Sequence, residues 1–201
     1  MPSLIIPRLY LSNLLVARDE AQLTSLGATH VISVMNHAPK FPSSLPHLKT
    51  LLIPIEDSPQ ADILQYLEQT TQFIKDALSE NDTNVVLVHC LMGMSRSATV
   101  VCAYLVATTS MLPSESISYV TSKRSIVCPN SGFLRQLDTY AMRYYGKGQK
   151  SKGLQIRMGI GVGERIRRLM HHDGGVRFSE TTTLRVATTD DQTTSAPKTT
   201  Q

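Results

Sequence analysis

The stretch that most limits how this chain can fold is NVVLV, then HCLMGMSRS, then ATVVCAYLVATT, spanning residues 84 to 109. The first segment has the length and composition of a buried strand, and the last is apolar on nearly every side, as a buried helix is. Nine residues must turn one into the other. They carry a thiol at Cys90, a glycine at Gly93 and a guanidinium at Arg96. Other elements order themselves around this unit. THVISVM (29–35) and LKTLLIPI (48–55) read as strands, and Ile63, Leu64, Leu67, Thr71, Ile74, Ala77 and Leu78 recur at helical spacing over 61–80. Further helices are expected over 97–109, 113–124 and 130–145, the last burying Phe133, Leu137, Tyr140, Ala141 and Tyr144. Strands and helices followed by a helical half give an α/β class with a central, mostly parallel sheet flanked by helices.

The texture changes beyond Gly146. Residues 1–146 are expected to form one domain. Residues 147–201, basic and then rich in threonine, are expected to be a largely disordered tail, since the last stretch lacks apolar periodicity. Within the tail, GIGVG has neither the spacing nor the preceding strand of a nucleotide loop. The basic segment 164–172 reads as solvated, with a small apolar face; a short basic helix that touches a partner or an acidic lipid surface is the alternative. A formal charge of +4, mostly in the last quarter, is too small and dispersed to indicate nucleic acid as a partner. No apolar run reaches the roughly 20 residues that span a bilayer, and no basic-then-apolar leader opens the chain. Three cysteines without metal spacing fit a reduced compartment, cytoplasmic or also nuclear.

The turn has chemistry available to it. A cysteine between a strand end and a helix N-terminus lies in the field of the helix dipole, of loop amides and of Arg96. That field stabilises a thiolate, and it also holds a tetrahedral oxyanion above the sulfur. Backbone amides of Leu91, Met92, Gly93, Met94, Ser95 and Arg96 are the expected phosphate-binding set. Gly93 permits a left-handed turn, and Arg96 offers a planar fork for two oxygens. Ser97 places a hydroxyl near the sulfur, where it eases departure of the thiolate. His89 is expected to be buried and to fix the loop through backbone carbonyls. A departing oxygen also needs a proton, and IPIEDSPQAD (53–62) supplies three carboxyls. Asp57 lies just past a strand end, in a loop punctuated by Pro59. Glu56 and Asp62 compete with it, although Asp62 suits a first-turn helix position.

These residues resemble a known family. HCLMGMSRS matches the HCx5R signature of cysteine-dependent protein phosphatases, and its SRS resembles the small atypical dual-specificity branch. IPIEDSPQADILQYL resembles that family's general-acid segment, with its aspartate at Asp57. CPNSGFLRQL resembles the segment whose asparagine, here Asn130, braces the catalytic loop, and RLYLSN resembles the opening strand and turn. The resemblance runs from about residue 4 to 145. It implies a protein-tyrosine-phosphatase-like fold and a two-step hydrolysis of phosphorylated protein side chains through a cysteinyl-phosphate on Cys90. No metal and no cofactor are implied. Met92 departs from the alanine common at its position, and Met94 adds a second apolar side chain. Both are expected to point away from the phosphate.

Other readings are weaker. A phosphoprotein-binding pseudophosphatase would have lost the cysteine, arginine or acid. A phosphoinositide phosphatase would carry lysines in the loop, where Leu91, Met92 and Met94 are uncharged. In a low-molecular-weight phosphatase the loop lies near the N-terminus and the acid downstream. Cys102 reads as a core residue. Cys128 reads as structural, with a redox partnership to Cys90 as the alternative.

Overall fold

The computed structural model describes residues 1–145 and 161–172. Five strands, β1 (Ser3–Ile6), β2 (Leu9–Asn13), β3 (His30–Val34), β4 (Lys49–Ile53) and β5 (Val86–Cys90), form one sheet in the order β1-β2-β5-β3-β4. Only the β1–β2 pair is antiparallel; the other three pairs are parallel. This is the mostly parallel α/β sheet expected from the sequence. β5 and β3 are central and buried along their whole length, which is why VVLV and VISV are apolar or small without alternation.

Seven helices complete the described fold. They are α1 (Leu14–Ala17), α2 (Glu20–Leu26), α3 (Leu64–Glu80), α4 (Arg96–Thr109), α5 (Pro113–Lys123), α6 (Ser131–Tyr145) and α7 (Val162–His172). Two cores lie on the two faces of the sheet. Val31 and Leu87 face a small cluster with Val16, Ala17 and Leu23 of α1 and α2. Their neighbours Ile32, Val86 and Val88 face the larger one, filled from α3, α4, α5 and α6. Helix α4 is buried nearly all round because it lies at the centre of that larger layer.

Three features differ from the sequence reading. Helices α1 and α2 are held by side-chain caps from Asn13 and Asp19, which accept the N–H groups of Val16 and Gln22. These caps make short helices of a stretch with little periodicity of its own. Tyr144, expected to be buried, is 37% exposed. Its hydroxyl instead joins Tyr140 and Glu68 at the edge of the core, 2.9 Å from each.

The third difference is α7. Residues 164–172, read as a solvated segment, belong to a helix that packs on the domain. Val162, Ile166 and Leu169 form a stripe against the main core, with Ile166 buried. Arg165 is buried as well, 2.8 Å from Glu115 and 3.4 Å from the Ser110 carbonyl. Glu115 also accepts the Leu112 N–H at the start of α5, so one carboxylate serves a helix cap and a buried ion pair. The small apolar face suffices because Glu115 compensates the neighbouring charge. The remainder of 147–201, where disorder was expected, lies outside the described residues.

Candidate active site

Four parallel strands place their C-terminal ends along one edge of the sheet, the position where α/β folds bind ligands. β5 ends there in Cys90. β4 ends there too and runs on into Ile55, Glu56 and Asp57. Topology thus carries an upstream acid and a mid-chain thiol to the same edge.

The loop after Cys90 is held from outside through its carbonyls. Leu91 O accepts from Leu14 N (3.2 Å) and Met94 O from Cys128 N (2.9 Å). Met92 O and Gly93 O accept from the Arg124 guanidinium, at 3.0 and 2.9 Å. In a trans peptide the C=O of one residue and the N–H of the next point in opposite directions. Turning carbonyls 91 to 94 outward therefore turns the amides of Met92, Gly93, Met94 and Ser95 inward. Gly93 has φ of +71°, and a Cβ there would lie 2.3 Å from the Ser12 carbonyl, so only glycine fits.

Cys90 forms the floor of this ring and is 1% exposed. Its Sγ accepts from Gly93 N and from Ser97 Oγ, each at 3.2 Å. Burial alone pushes the thiol pKa up and is the largest single influence. The Ser97 hydroxyl and amide, the Gly93 amide and the Arg96 charge together outweigh it, so the pKa lies below the ordinary thiol value. Replacing Ser97 by alanine removes the strongest of these stabilising bonds. The thiol pKa then rises, and the acid limb of the pH–rate profile moves to higher pH. An unmoved limb would show that Ser97 does not hold the thiolate.

Arg96 is buried beside the floor. Its NH1 donates to Ile55 O at 3.3 Å, while its Nε has no hydrogen-bond partner and lies 3.6 Å from Asp57 Oδ2. Asp57 Oδ1 accepts from Ser95 Oγ (2.7 Å) and Asn130 Nδ2 (2.9 Å). Asn130 N in turn donates to Ser95 Oγ at 3.1 Å. Asn130 thus touches the loop and the acid together, and its own Oδ1 caps α6 at Phe133 N. Glu56 and Asp62 line a neighbouring hollow instead. Glu56 accepts from Asn36 and Asp62 from Gln65.

Helix α6 pins the acid-bearing loop at several points. Gln136 donates to Ala61 O (2.8 Å) and accepts Leu64 N (2.9 Å), capping α3. Gly132 lies so close to Pro59 that an added Cβ would be 2.0 Å from the Pro59 carbonyl oxygen. The glycine and glutamine of CPNSGFLRQL are thus the loop's anchors.

His89 is fully buried, with Nδ1 3.3 Å from Cys90 O and Nε2 2.8 Å from Ser33 Oγ. Burial lowers its pKa to about 4, so it is neutral at pH 7. Cys102 is a core thiol whose pKa burial pushes up to about 12. Cys128 is exposed and lines the same cavity of about 350 Å³ as Asp57, Cys90, Arg96 and Asn130. Leu91 and Met92 are about half exposed at the mouth of that cavity. Among the described residues no cluster of His, Cys, Asp or Glu could hold a metal ion. Sequence reasoning passed over Arg124. An arginine four residues before Cys128 carries no signal of its own until the fold brings it behind the loop.

A buried thiol with a depressed pKa, a ring of inward amides and a facing carboxyl together define a cysteine-dependent phosphatase domain. Residues 9–143 match the family model for the dual specificity phosphatase catalytic domain. The chain belongs to that family, and the domain is a protein phosphatase domain, a hydrolase of the kind that needs no metal. It is 36% identical over 136 residues to dual specificity protein phosphatase 22 of Homo sapiens, covering 68% of this chain and 71% of that one. It is 39% identical over 132 residues to tyrosine-protein phosphatase yvh1 of Schizosaccharomyces pombe, covering 66% of this chain but only 39% of the yeast protein. Among solved structures, it superposes on the human tyrosine phosphatase-like serine/threonine/tyrosine-interacting protein with a TM-score of 0.66 at 30% identity. That match covers 72% of this chain and 98% of the other.

Proposed function

We propose that this chain hydrolyses phosphotyrosine and phosphoserine or phosphothreonine in proteins through a cysteinyl-phosphate on Cys90, with residues 1–146 as the catalytic domain. The observation that carries the reading is the Cys90 sulfur at the floor of an amide ring, accepting from Gly93 and Ser97, with the Asp57 carboxyl lining the same cavity. The thiolate attacks phosphorus while the inward amides and the Arg96 fork hold the non-bridging oxygens. Asp57 protonates the departing oxygen. Its Oδ1 is committed to Ser95 and Asn130, which leaves Oδ2 to carry the proton. Water then attacks the cysteinyl-phosphate, Asp57 takes the water's proton, and the Ser97 hydroxyl stabilises the departing thiolate. Phosphate leaves and the free thiolate is restored.

The substrate is a phosphorylated protein. The apolar Leu91, Met92 and Met94 favour a single phosphate on a side chain over a phosphoinositide. Cys90, Arg96 and Asp57 are all present, which favours catalysis over phosphoprotein binding alone. No described helix is long and apolar enough to cross a membrane. The free thiols favour a reduced setting, cytoplasmic and also nuclear. Nucleic acid is not among the partners we propose. Arg167 and Arg168 of α7, already paired with Glu164, are the residues left for an acidic contact.

The test is hydrolysis of p-nitrophenyl phosphate in EDTA, which should proceed and be blocked by vanadate. Dependence on added metal would sink the mechanism. An Asp57→Ala variant should then capture phosphoproteins from a lysate, and the captured residues identify the preferred side chain.

A further inference from the structure

The four outward carbonyls of the loop have three different owners. Leu91 O and Met94 O are held by backbone amides of neighbouring segments. The two between them, Met92 O and Gly93 O, both depend on one side chain, that of Arg124. These are the carbonyls of the peptide units whose N–H groups belong to Gly93 and Met94. Gly93 N–H points at Cys90 Sγ from 3.2 Å.

We infer that Arg124 is a positioning residue, a brace behind the phosphate loop that fixes the orientation of the two peptide planes at its apex and thereby aims two amides at the thiolate and the bound phosphate. The inference rests on the phosphatase reading for its purpose, though not for its geometry.

The chemistry of the side chain suits the task. A guanidinium is planar, and Nε and NH2 lie on one edge of it, so two adjacent carbonyls can be held in parallel. The remaining NH1 donates to Met1 O (3.1 Å) and reaches Ser3 Oγ at 3.4 Å, which anchors the fork at its far end. The backbone at Gly93 needs such a brace. With φ of +71° and no side chain, nothing local prevents the 92–93 and 93–94 peptide planes from rotating. If they rotate, carbonyl oxygens replace N–H groups inside the ring, where they repel both thiolate and phosphate. The Arg124 charge also acts directly on Cys90, since burial lowers the arginine's pKa and the Cys90 charge opposes that shift. Charge and geometry therefore need separate variants.

Arg124→Ala, Arg124→Gln and Arg124→Lys should be compared with the unaltered chain in three measurements. These are the pH dependence of Cys90 alkylation by iodoacetamide, the affinity for tungstate as a non-covalent oxyanion, and kcat and KM for p-nitrophenyl phosphate. A brace predicts that Ala and Gln move the alkylation midpoint to higher pH and weaken tungstate roughly tenfold. They should also lower kcat/KM on the order of tenfold to a hundredfold, somewhat less than outright loss of an oxyanion donor. Lysine keeps the charge but cannot hold two carbonyls in parallel, so it should recover only part of each loss.

Full recovery by lysine would overturn the brace, because charge alone would then suffice. Unchanged alkylation and tungstate binding in the Gln variant would overturn it too. Should the Ala variant fail to fold, the Gln and Lys variants decide alone, each checked by thermal melting. If the unaltered chain alkylates at low pH and responds to Arg124 as described but does not turn over p-nitrophenyl phosphate, the phosphatase reading fails and the brace stands.

Discussion

Replacing Cys90 by serine should lower turnover of p-nitrophenyl phosphate by roughly 10⁴-fold or more, as losing a nucleophile does elsewhere. The reason is specific to this site. Ser97 and Gly93 each donate to the sulfur, and together with Arg96 they hold its proton affinity below that of an ordinary thiol, which favours the thiolate. The same donors cannot bring a serine hydroxyl, far more basic once deprotonated, into the ionised range. The amide ring and Arg96 do not depend on the sulfur for their positions: Leu14, Arg124 and Cys128 hold the loop carbonyls. The serine variant should therefore still bind a phosphopeptide within about threefold of the original, because ground-state contacts survive. Calorimetric titration with a phosphotyrosyl peptide measures this. Turnover that persists in Cys90→Ser, or binding that vanishes with it, contradicts the role given to the thiol.

Asp57→Asn is expected to lower kcat by roughly 10² to 10⁴-fold for substrates with basic leaving groups, the usual worth of a general acid. Asparagine keeps an oxygen where Asp57 Oδ1 accepts from Ser95 and Asn130, so the loop should stay in place and KM should change little. The loss should shrink with leaving-group pKa. An aryl phosphate with strongly electron-withdrawing substituents departs without a proton and should lose far less than a serine phosphate. Equal loss across all leaving groups would mean that Asp57 matters only as an anchor for Ser95. Glu56→Gln serves as the comparison, because Glu56 lines the adjacent hollow and bonds Asn36; it should cost less than about twofold. A large leaving-group-dependent loss in that variant would transfer the acid to Glu56.

Much of this site could be read before the fold was known, and the reason is local. Cys90, Gly93, Arg96 and Ser97 act within one turn, where strand end, glycine and helix start fix their relations through the chain itself. The α/β class was legible for the same reason, since VVLVH and the α4 segment are long and strongly apolar. What depended on packing was harder to see. The contacts that set Asp57 beside Ser95 and Asn130, Glu56 beside Asn36 and Asp62 beside Gln65 needed the packed fold. Arg124 was invisible because its partners are backbone carbonyls, which leave no mark on the sequence. Helix α7 was read as a solvated segment, with a short basic helix as the alternative, because its apolar stripe is short and Arg165 looks like a solvent residue until Glu115 is beside it. Gly132 and Gln136, quoted within a motif, carried no sign that they fasten the acid loop until α6 was packed against it.

The outside grip on the loop also has a consequence in time. Arg124 and Cys128, which hold three of the four outward carbonyls, are made well after Cys90 as the chain is synthesised from its N-terminus. A nascent chain that ends between Cys90 and Arg124 carries the cysteine, Gly93, Arg96 and Ser97 without the outer grip that aims the amides, and its thiol should lie closer to the ordinary proton affinity. Such a chain is slow to meet oxidants and alkylating agents, which react with thiolate. Chemical vulnerability and catalytic competence should therefore grow together as the last segment of the cradle docks.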